Sequence, residues 1–487
     1  VTNQPYDAVV VGSGPNGLSA AIVLARAGLS VLVLEARSTF GGGVRSAELT
    51  LPGFVHDLGS AVHPLAAGSP FFKSLPLADH GLEYIYPPVA AAHPFDPSVG
   101  KTAAALFGAV DDTARTLGAD EQTYRRLLEP VVRHWPTLAV DVLGPLRFPD
   151  HPLDMARFGL DAVLPATWLA SRFKTTEARG LIAGMAAHSI QPLSNVTTAA
   201  IALVLMAAGH HRGWPVPKGG SQAITNALVS YFRSLGGHLE TDRPVRSMND
   251  LPKSRVVVFD LTPKQLLSIV GDRFPTLYRW QLERYRYGPG IFKIDWALDG
   301  PIPFTAPECR QAGTVHLGGT LEEITDAEQQ TYDGKHPDRP YVLLAQQSLF
   351  DPTRAPAGKQ AAWAYCHVPN GSTVDMTGII ERQVERFAPG FRDRILARAT
   401  MNTAQVEAWN PNYVGGDING GIIDVRQLFT RPTLSLTPYR TGAPGVFICS
   451  SATPPGGGVH GLCGYHAARV VLRDSFGKSV PVELTNE

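Results

Sequence analysis

Between Tyr6 and Arg45 the chain carries an apolar strand, a glycine turn, a helix, a second apolar strand and an acid, in that order. Ala8-Val9-Val10-Val11 is wholly apolar, the pattern of a parallel strand buried on both faces. It runs directly into Gly12-Ser13-Gly14-Pro15-Asn16-Gly17, a G-x-G-x-x-G turn. Leu18 to Ala27 follows with helical spacing, placing Leu18, Ile22 and Ala25 on one face, and Gly28 is its stop signal. Val31-Leu32-Val33-Leu34 is the second strand and ends on Glu35. The glycines divide the work. Gly12 permits the tight turn, Gly14 lets backbone approach a pyrophosphate, and Gly17 lets the helix lie close to the strand. Pro15 and Asn16 lead from the turn into the helix, whose N-terminus faces the phosphates with its free N–H groups. The order predicts a dinucleotide-binding unit in an α/β fold; an ornamental glycine-rich turn is the alternative.

Glu35 is placed to accept from ribose hydroxyls, and its charge would repel a ribose 2′-phosphate, which favours FAD or NAD over NADP. The next residues favour FAD. Ala36-Arg37 leads to Gly41-Gly42-Gly43-Val44-Arg45-Ser46, where consecutive glycines let backbone lie flat against a ligand. Arg45 could then reach a phosphate or a flavin edge. A flexible loop with a solvated arginine is the other reading.

Leu34-Glu35-Ala36-Arg37 followed by Gly42-Gly43-Val44-Arg45 resembles the second FAD signature of the flavin amine oxidase and phytoene desaturase superfamily. Within it, the chain resembles the phytoene-dehydrogenase-like proteins. The likeness extends to His56-Asp57-Leu58-Gly59-Ser60, Trp214-Pro215-Val216-Pro217-Lys218-Gly219-Gly220, Asn410-Pro411-Asn412-Tyr413 and the C-terminal glycine run, nearly the whole chain. It implies FAD as the cofactor and a discontinuous Rossmann-like FAD-binding domain with a helical and antiparallel-sheet substrate domain. It implies that Val245 pairs with the adenine through its backbone, an ordinary strand valine being the alternative. It implies also that the segment of Ser451, Gly458, Val459 and His460 approaches the isoalloxazine ring. Ser451 stands where relatives commonly carry glycine. A helix N-terminus behind that glycine loop could hold the flavin pyrimidine, whose N1–C2=O edge becomes negative on reduction.

Length suggests two or three domains with a sizeable core. Lys+Arg and Asp+Glu number 43 each, which leaves no electrostatic case for nucleic acid. Cys309, Cys366, Cys449 and Cys463 lack metal-ligand spacing and are too sparse for a disulfide framework, so no metal and a cytoplasmic location are expected. The chain enters its first strand without a basic or apolar leader, so secretion is not expected. No apolar stretch approaches the roughly 20 residues needed to span a bilayer. Peripheral membrane contact stays open, and the oligomeric state is not readable.

The cofactor signals are not contiguous. After Gly59 comes a Pro-, Ala- and His-rich passage to about Val99 with little periodicity, then a mainly helical region from Lys101 to about Thr176. Asn195 to Ala208 reads as a buried helix, and Gln222 to Leu235 as another behind Lys218-Gly219-Gly220-Ser221. Thr241 to Val245 and Val256 to Asp260 read as strands. From Gly290 to about Met401, strand-like runs predict an antiparallel sheet walling a substrate cavity. Gly445 to Cys449 reads as a strand, and about His460 to Leu472 as a helix. The expected domains are residues 1–75, 213–289 and 405–487 for the cofactor, with 76–212 and 290–404 for the substrate.

No second complete nucleotide unit follows, so reducing equivalents are expected from the substrate, leaving to oxygen, a quinone or another acceptor. The C-x-x-C of disulfide reductases is missing as well. Lys293 is the candidate for chemistry, a lysine in the largely apolar run Gly290-Ile291-Phe292-Lys293-Ile294. Its surroundings resemble the strand of flavin amine oxidases whose lysine holds a water near flavin N5. A surface lysine on an edge strand is the alternative. His63, His367 and His460 are further acid–base candidates, with structural roles as the alternative. Trp409 and Tyr413 could line the ring, the cavity or the core. The function expected is FAD-dependent removal of hydride from a C–C or C–N bond of a largely apolar small molecule. An amine oxidase and a flavin-binding scaffold without turnover are the alternatives.

Overall fold

The computed structural model describes residues 5–99, 102–481 and 483–484. Residues 1–4, where the expected cofactor domain begins, and Lys101, where the expected helical region begins, lie outside the described residues.

Two sheets organise the chain. The first has five parallel strands in the order Val446–Ile448, Ser254–Phe259, Tyr6–Val11, Val31–Leu34, His238–Glu240. Ala8 pairs with Val256 on one side and Val31 on the other, and the Pro15–Arg26 helix makes the crossover between the first two strands of the chain. Strand side chains alternate faces, and here both faces are covered. Val9, Val11, Leu32, Leu34, Val257 and Phe259 join one core, while Ala8, Val10, Val31, Val33, Val256 and Val258 join the other. Each buried valine or leucine is worth about 1.5–3 kcal/mol over leaving it exposed, which outweighs the roughly 1 kcal/mol span of strand propensity. That explains the wholly apolar runs.

The Thr241–Val245 run is not a strand. Pairing ends at Glu240; Asp242 then takes φ +55°, and Pro244 has no N–H to give. Val245 sits half-buried in the loop beyond.

The second sheet has seven strands in the order Ile395–Met401, Gly290–Leu298, Gln360–Val368, Val342–Ala345, Ala312–Leu317, Val89–Pro94, Ala103–Leu106. Five of its six pairings are antiparallel as expected, but Ala312–Leu317 and Val89–Pro94 run parallel, so the sheet is mixed. The Val89–Pro94 strand falls where little periodicity is visible, and the Ala103–Leu106 strand opens the region expected to be mainly helical. They are built on Ala90-Ala91-Ala92 and Ala103-Ala104-Ala105, a residue depleted from strands that here packs beneath helices.

Helices between Val110 and Arg212 cover this sheet. The Thr176–Ala186 helix rests on Val89–Pro94 and Ala103–Leu106, and against it lies Thr198–Arg212, buried along most of its length. Among the described residues no helix is long and apolar enough to cross a membrane. The Pro15–Arg26 helix packs against the Leu462–Val471 helix so closely that a Cβ on Gly464 would overlap the Asn16 carbonyl oxygen.

Candidate functional site

A cavity of about 740 Å³ runs from the glycine turn of the first sheet to the face of the second. At one end stands the turn itself. Gly12 has φ +101°, a conformation L side chains rarely adopt, and a Cβ on Gly17 would overlap the Gly12 carbonyl oxygen. Gly12, Gly14, Pro15 and Asn16 line the cavity, whereas Gly17 lies behind them, closing the helix onto the strand. Gly14 is the helix N-cap with no side chain to cap the first turn, and Asn16 Oδ1 is buried without a hydrogen-bond partner.

Glu35 is buried at the cavity wall. Its Oε2 accepts from the Ser13 amide at 3.1 Å and the Ser13 hydroxyl at 2.5 Å, and its Oε1 accepts from the Arg37 amide at 2.9 Å. Ser13 also accepts from the Gly41 amide at 3.1 Å, so one hydroxyl ties the first glycine turn to the second glycine cluster. Ala36, Arg37, Gly42, Gly43 and Arg45 line the cavity beyond Glu35. A Cβ on Gly42 would meet Gly14 Cα at 2.9 Å, and one on Gly43 would overlap the Tyr413 hydroxyl. Arg45 is buried, not solvated. Its Nε donates to the Gly42 carbonyl at 2.9 Å and its guanidinium lies 4.9 Å from the Trp409 ring centroid, while burial lowers its pKa. Trp409 and Tyr413 both line the cavity.

Asp260 stands where the Ser254–Phe259 strand ends. Its Oδ2 accepts from the Gly17 amide at 3.0 Å beside Gly14. Burial pushes the carboxyl up to about 7, the Gly17 hydrogen bond opposes this, and the nearby Glu35 charge adds to it. The carboxyl ends of parallel strands are where ligands bind in such sheets, a signal that could have found Asp260 from sequence. Val245, Ser451, Gly458 and Val459 also line the cavity. His460 does not line the cavity. It is buried behind the loop, its Nδ1 accepts from the Leu462 amide at 3.1 Å, and burial lowers its pKa to about 4. The helix expected from His460 begins at Leu462.

Lys293 lies in an interior strand, not on an edge, and is 1% exposed. It lines the cavity with its Nζ 5.9 Å from the Trp363 ring centroid. Two positions on, and so on the same face, is the Asp295 carboxylate to which Nζ donates. That partner is readable from the i, i+2 spacing. Burial pushes Lys293 down and Asp295 up to about 6, and the attraction between them opposes both shifts.

Beneath this pair sits another. Arg354 donates to Asp57 at 2.7 Å with both side chains fully buried, and Asp57 also accepts from the Ser221 amide and the Ser46 hydroxyl. His63 lines the cavity with its Nε2 2.8 Å from Ser221 Oγ, and burial lowers its pKa to about 4. His367 is outside the lining, held by Glu328 at 2.8 Å and stacked on Tyr341. His188, for which the sequence carried no signal, does line the cavity, its Nε2 3.1 Å from that of His316.

The arrangement fits FAD. The cradle is built from glycines whose side chains would fill it, it carries an orphaned Asn16 oxygen, and an acid stands at the end of the second strand. Among curated proteins, the chain is 26% identical to rat (Rattus norvegicus) pyridine nucleotide-disulfide oxidoreductase domain-containing protein 2, over 96% of this chain and 94% of that protein. It is 24% identical to phytoene desaturase (lycopene-forming) of Pseudescherichia vulneris, over 93% and 96%. Cyclohexylamine oxidase from Brevibacterium oxydans shares the fold with a TM-score of 0.60 at 17% identity, over 97% and 99% of the two chains. The family described as flavin containing amine oxidoreductase matches residues 16–272, more than half of the chain. With its glycine cradle, its buried acid and this match, the chain belongs to the flavin containing amine oxidoreductase family and is an FAD-dependent oxidoreductase.

Proposed function

We propose that the chain removes hydride from a C–C or C–N bond of a largely apolar small molecule, with oxygen, a quinone or another acceptor taking up the electrons. The observation that carries this reading is the continuity of the cavity. The same space that passes Gly12, Glu35 and Gly42 continues between Ile201, Val204 and Leu205 of one helix and Ile291, Leu343 and Trp363 of the second sheet. In this reading residues 1–75, 213–289 and 405–487 serve the cofactor, and 76–212 with 290–404 serve the substrate.

Bound FAD supplies a two-electron acceptor. The amides of the first helical turn would favour its phosphates, and Glu35 would take its ribose hydroxyls. Val245 would hold the adenine, and Ser451, Gly458 and Val459 the ring, where the dipole of the Leu462–Val471 helix would favour negative charge. The aliphatic wall excludes water from the substrate, which strengthens every charge interaction inside. Lys293 is the catalytic residue of this reading. Burial lowers its pKa against the pull of Asp295, so Nζ can hold a proton or give one up.

An amine is the second reading, favoured by Trp363 and Tyr365, whose rings stand 5.2 Å apart beside Lys293 on the cavity wall. Aromatic faces suit a cationic head group. Anaerobic mixing with a panel of alkenes, cyclic hydrocarbons and amines tests both. Flavin bleaching by one class, with a C=C product or an imine, assigns the substrate; no bleaching by any member sinks the reading.

A cytoplasmic location belongs to the proposal, supported by four cysteines, all buried and too few for a disulfide framework. So does peripheral contact with a membrane, which would deliver an apolar substrate. It is supported by Phe148, Leu153, Leu160 and Trp168, exposed by 83%, 87%, 74% and 66% around the Pro152–Ala162 helix. Flotation with lipid vesicles, lost in Phe148→Ser/Leu153→Ser, is the check.

A further inference from the structure

We propose that Lys293, Asp295, His56 and Thr50 form a proton conduit from the cavity to the protein surface, a role that rests on the reading of Lys293 just given. Lys293 lines the cavity and donates from Nζ to Asp295 Oδ2. The other carboxylate oxygen, Asp295 Oδ1, is buried with no hydrogen-bond partner. Facing it at 3.6 Å is His56 Nδ1, also buried and also without a partner. On the far side of the ring, His56 Nε2 lies 2.8 Å from Thr50 Oγ1. Thr50 is half-buried and opens the surface turn of Leu51, Pro52 and Gly53, all exposed.

Buried polar groups are paired in the great majority of cases, so two orphans facing each other just beyond bonding distance mark a link that a small movement makes and breaks. Every other link is already within hydrogen-bond reach. The charged groups that face this line are Asp57 and Arg354, themselves an ion pair, so the line carries no uncompensated charge. Burial holds His56 down to about 3, with the Lys293 and Arg354 charges adding to it. The imidazole therefore stays neutral and passes a proton on without storing it.

Oxidation of a C–H bond sends the hydrogen with its electron pair to the flavin, and the adjacent C–H or N–H leaves one proton behind. Lys293 passes a proton from Nζ to Asp295 Oδ2 and takes up the substrate's proton on the lone pair this frees. The Asp295 carboxyl group turns to carry its new proton to the His56 side and delivers it to His56 Nδ1. The ring releases its Nε2 proton to Thr50 Oγ1, whose hydroxyl proton goes to water. A reset of the imidazole tautomer completes the cycle, and Lys293 and Asp295 end with the protons they began with.

The test follows the proton itself and needs no substrate. In FAD-loaded enzyme near pH 5, the infrared band of a buried protonated carboxyl that Asp295→Asn removes reports on Asp295. On transfer to deuterated water, the rate at which this band shifts measures access to the surface. His56→Phe and Thr50→Val, which leave Lys293 and Asp295 in place, should slow the shift about 10-fold or more, and free imidazole should restore it in His56→Gly. Thr50→Val, near the surface, carries the test if the His56 variants do not fold. Equal exchange in wild type and both variants, or the absence of any band that Asp295→Asn removes, would overturn the conduit. Because no turnover is involved, that outcome is independent of whether the substrate panel bleaches the flavin.

Discussion

The Asp260 carboxylate accepts a hydrogen bond from the Gly17 amide at 3.0 Å, so an acid from a neighbouring strand fills the first turn of the helix behind the glycine cradle. A buried acid held at about 7 carries a sign that can be worked out. Below about pH 4, near its ordinary value, the group is protonated in folded and unfolded chains alike. Between 4 and 7 the unfolded chain has released the proton while the folded chain keeps it, so stability falls as pH rises and levels off above 7. Three pH units correspond to an upper bound of about 4 kcal/mol. Asp260→Asn keeps an acceptor for Gly17 and removes the ionisation. Denaturant midpoints should fall less from pH 4 to 7 in the variant than in wild type; parallel profiles would mean that Asp260 does not titrate in this range.

Glu35→Ala should weaken FAD retention by one lost charge-assisted hydrogen bond, roughly 1.5–3 kcal/mol or about 10- to 150-fold in affinity. Because Glu35 also receives Ser13 and Arg37, the cradle itself loosens. Titration of apoprotein with FAD measures the loss, and unchanged affinity would show that Glu35 does not meet the ribose.

Lys293→Met keeps the apolar stem and removes the ammonium, so FAD should still bind. It strands Asp295, whose pKa then rises further above its folded value of about 6. The variant's stability deficit should therefore grow as pH rises above about 6, where folded wild type releases a proton that the folded variant still keeps. Stopped-flow absorbance should show slower flavin reduction or slower reoxidation by oxygen after dithionite treatment. Both half-reactions at wild-type rates would make Lys293 a structural residue.

Breaking the deeper pair is a stability experiment. Arg354→Met leaves Asp57 buried without its cation and should cost about 3–5 kcal/mol in chemical denaturation. Asp57→Asn/Arg354→Met should recover part of it, since no bare charge then stays inside. A single variant within 0.5 kcal/mol of wild type would mean that water reaches Asp57.

What sequence made legible follows from where side chains face. The βαβ unit stands out because its strands are buried on both faces and because Gly12 and Gly17 occupy positions a Cβ would spoil. Lys293 stands out because a charge in an apolar strand is conspicuous. The Val89–Pro94 and Ala103–Leu106 strands did not, since alanine carries no strand signal and their stability comes from the helices above. Thr241 to Val245 misled because β-branched composition mimics a strand, while Pro244 and the left-handed Asp242 deny it partners. The resemblance set His460 with the segment that approaches the ring, but its side chain is buried outside the cavity lining, with Nδ1 on the Leu462 amide. Asp295, Arg354 and His56 meet only through contacts between distant segments, which no local pattern encodes.

The first sheet sets Ser254–Phe259 between Tyr6–Val11 and Val446–Ile448, so its neighbours come from opposite ends of the sequence. On a ribosome adding 5–20 residues per second, the opening βαβ unit waits roughly tens of seconds for the last of these strands. Until it arrives the nascent chain has no finished nucleotide cradle, and contacts of such long separation also form slowly. FAD can then engage only the completed fold, adding about 2.7 kcal/mol when its free concentration is a hundred times Kd. Protein that holds no flavin lacks that increment, so the apoprotein should be cleaved faster than the FAD-loaded form in limited proteolysis.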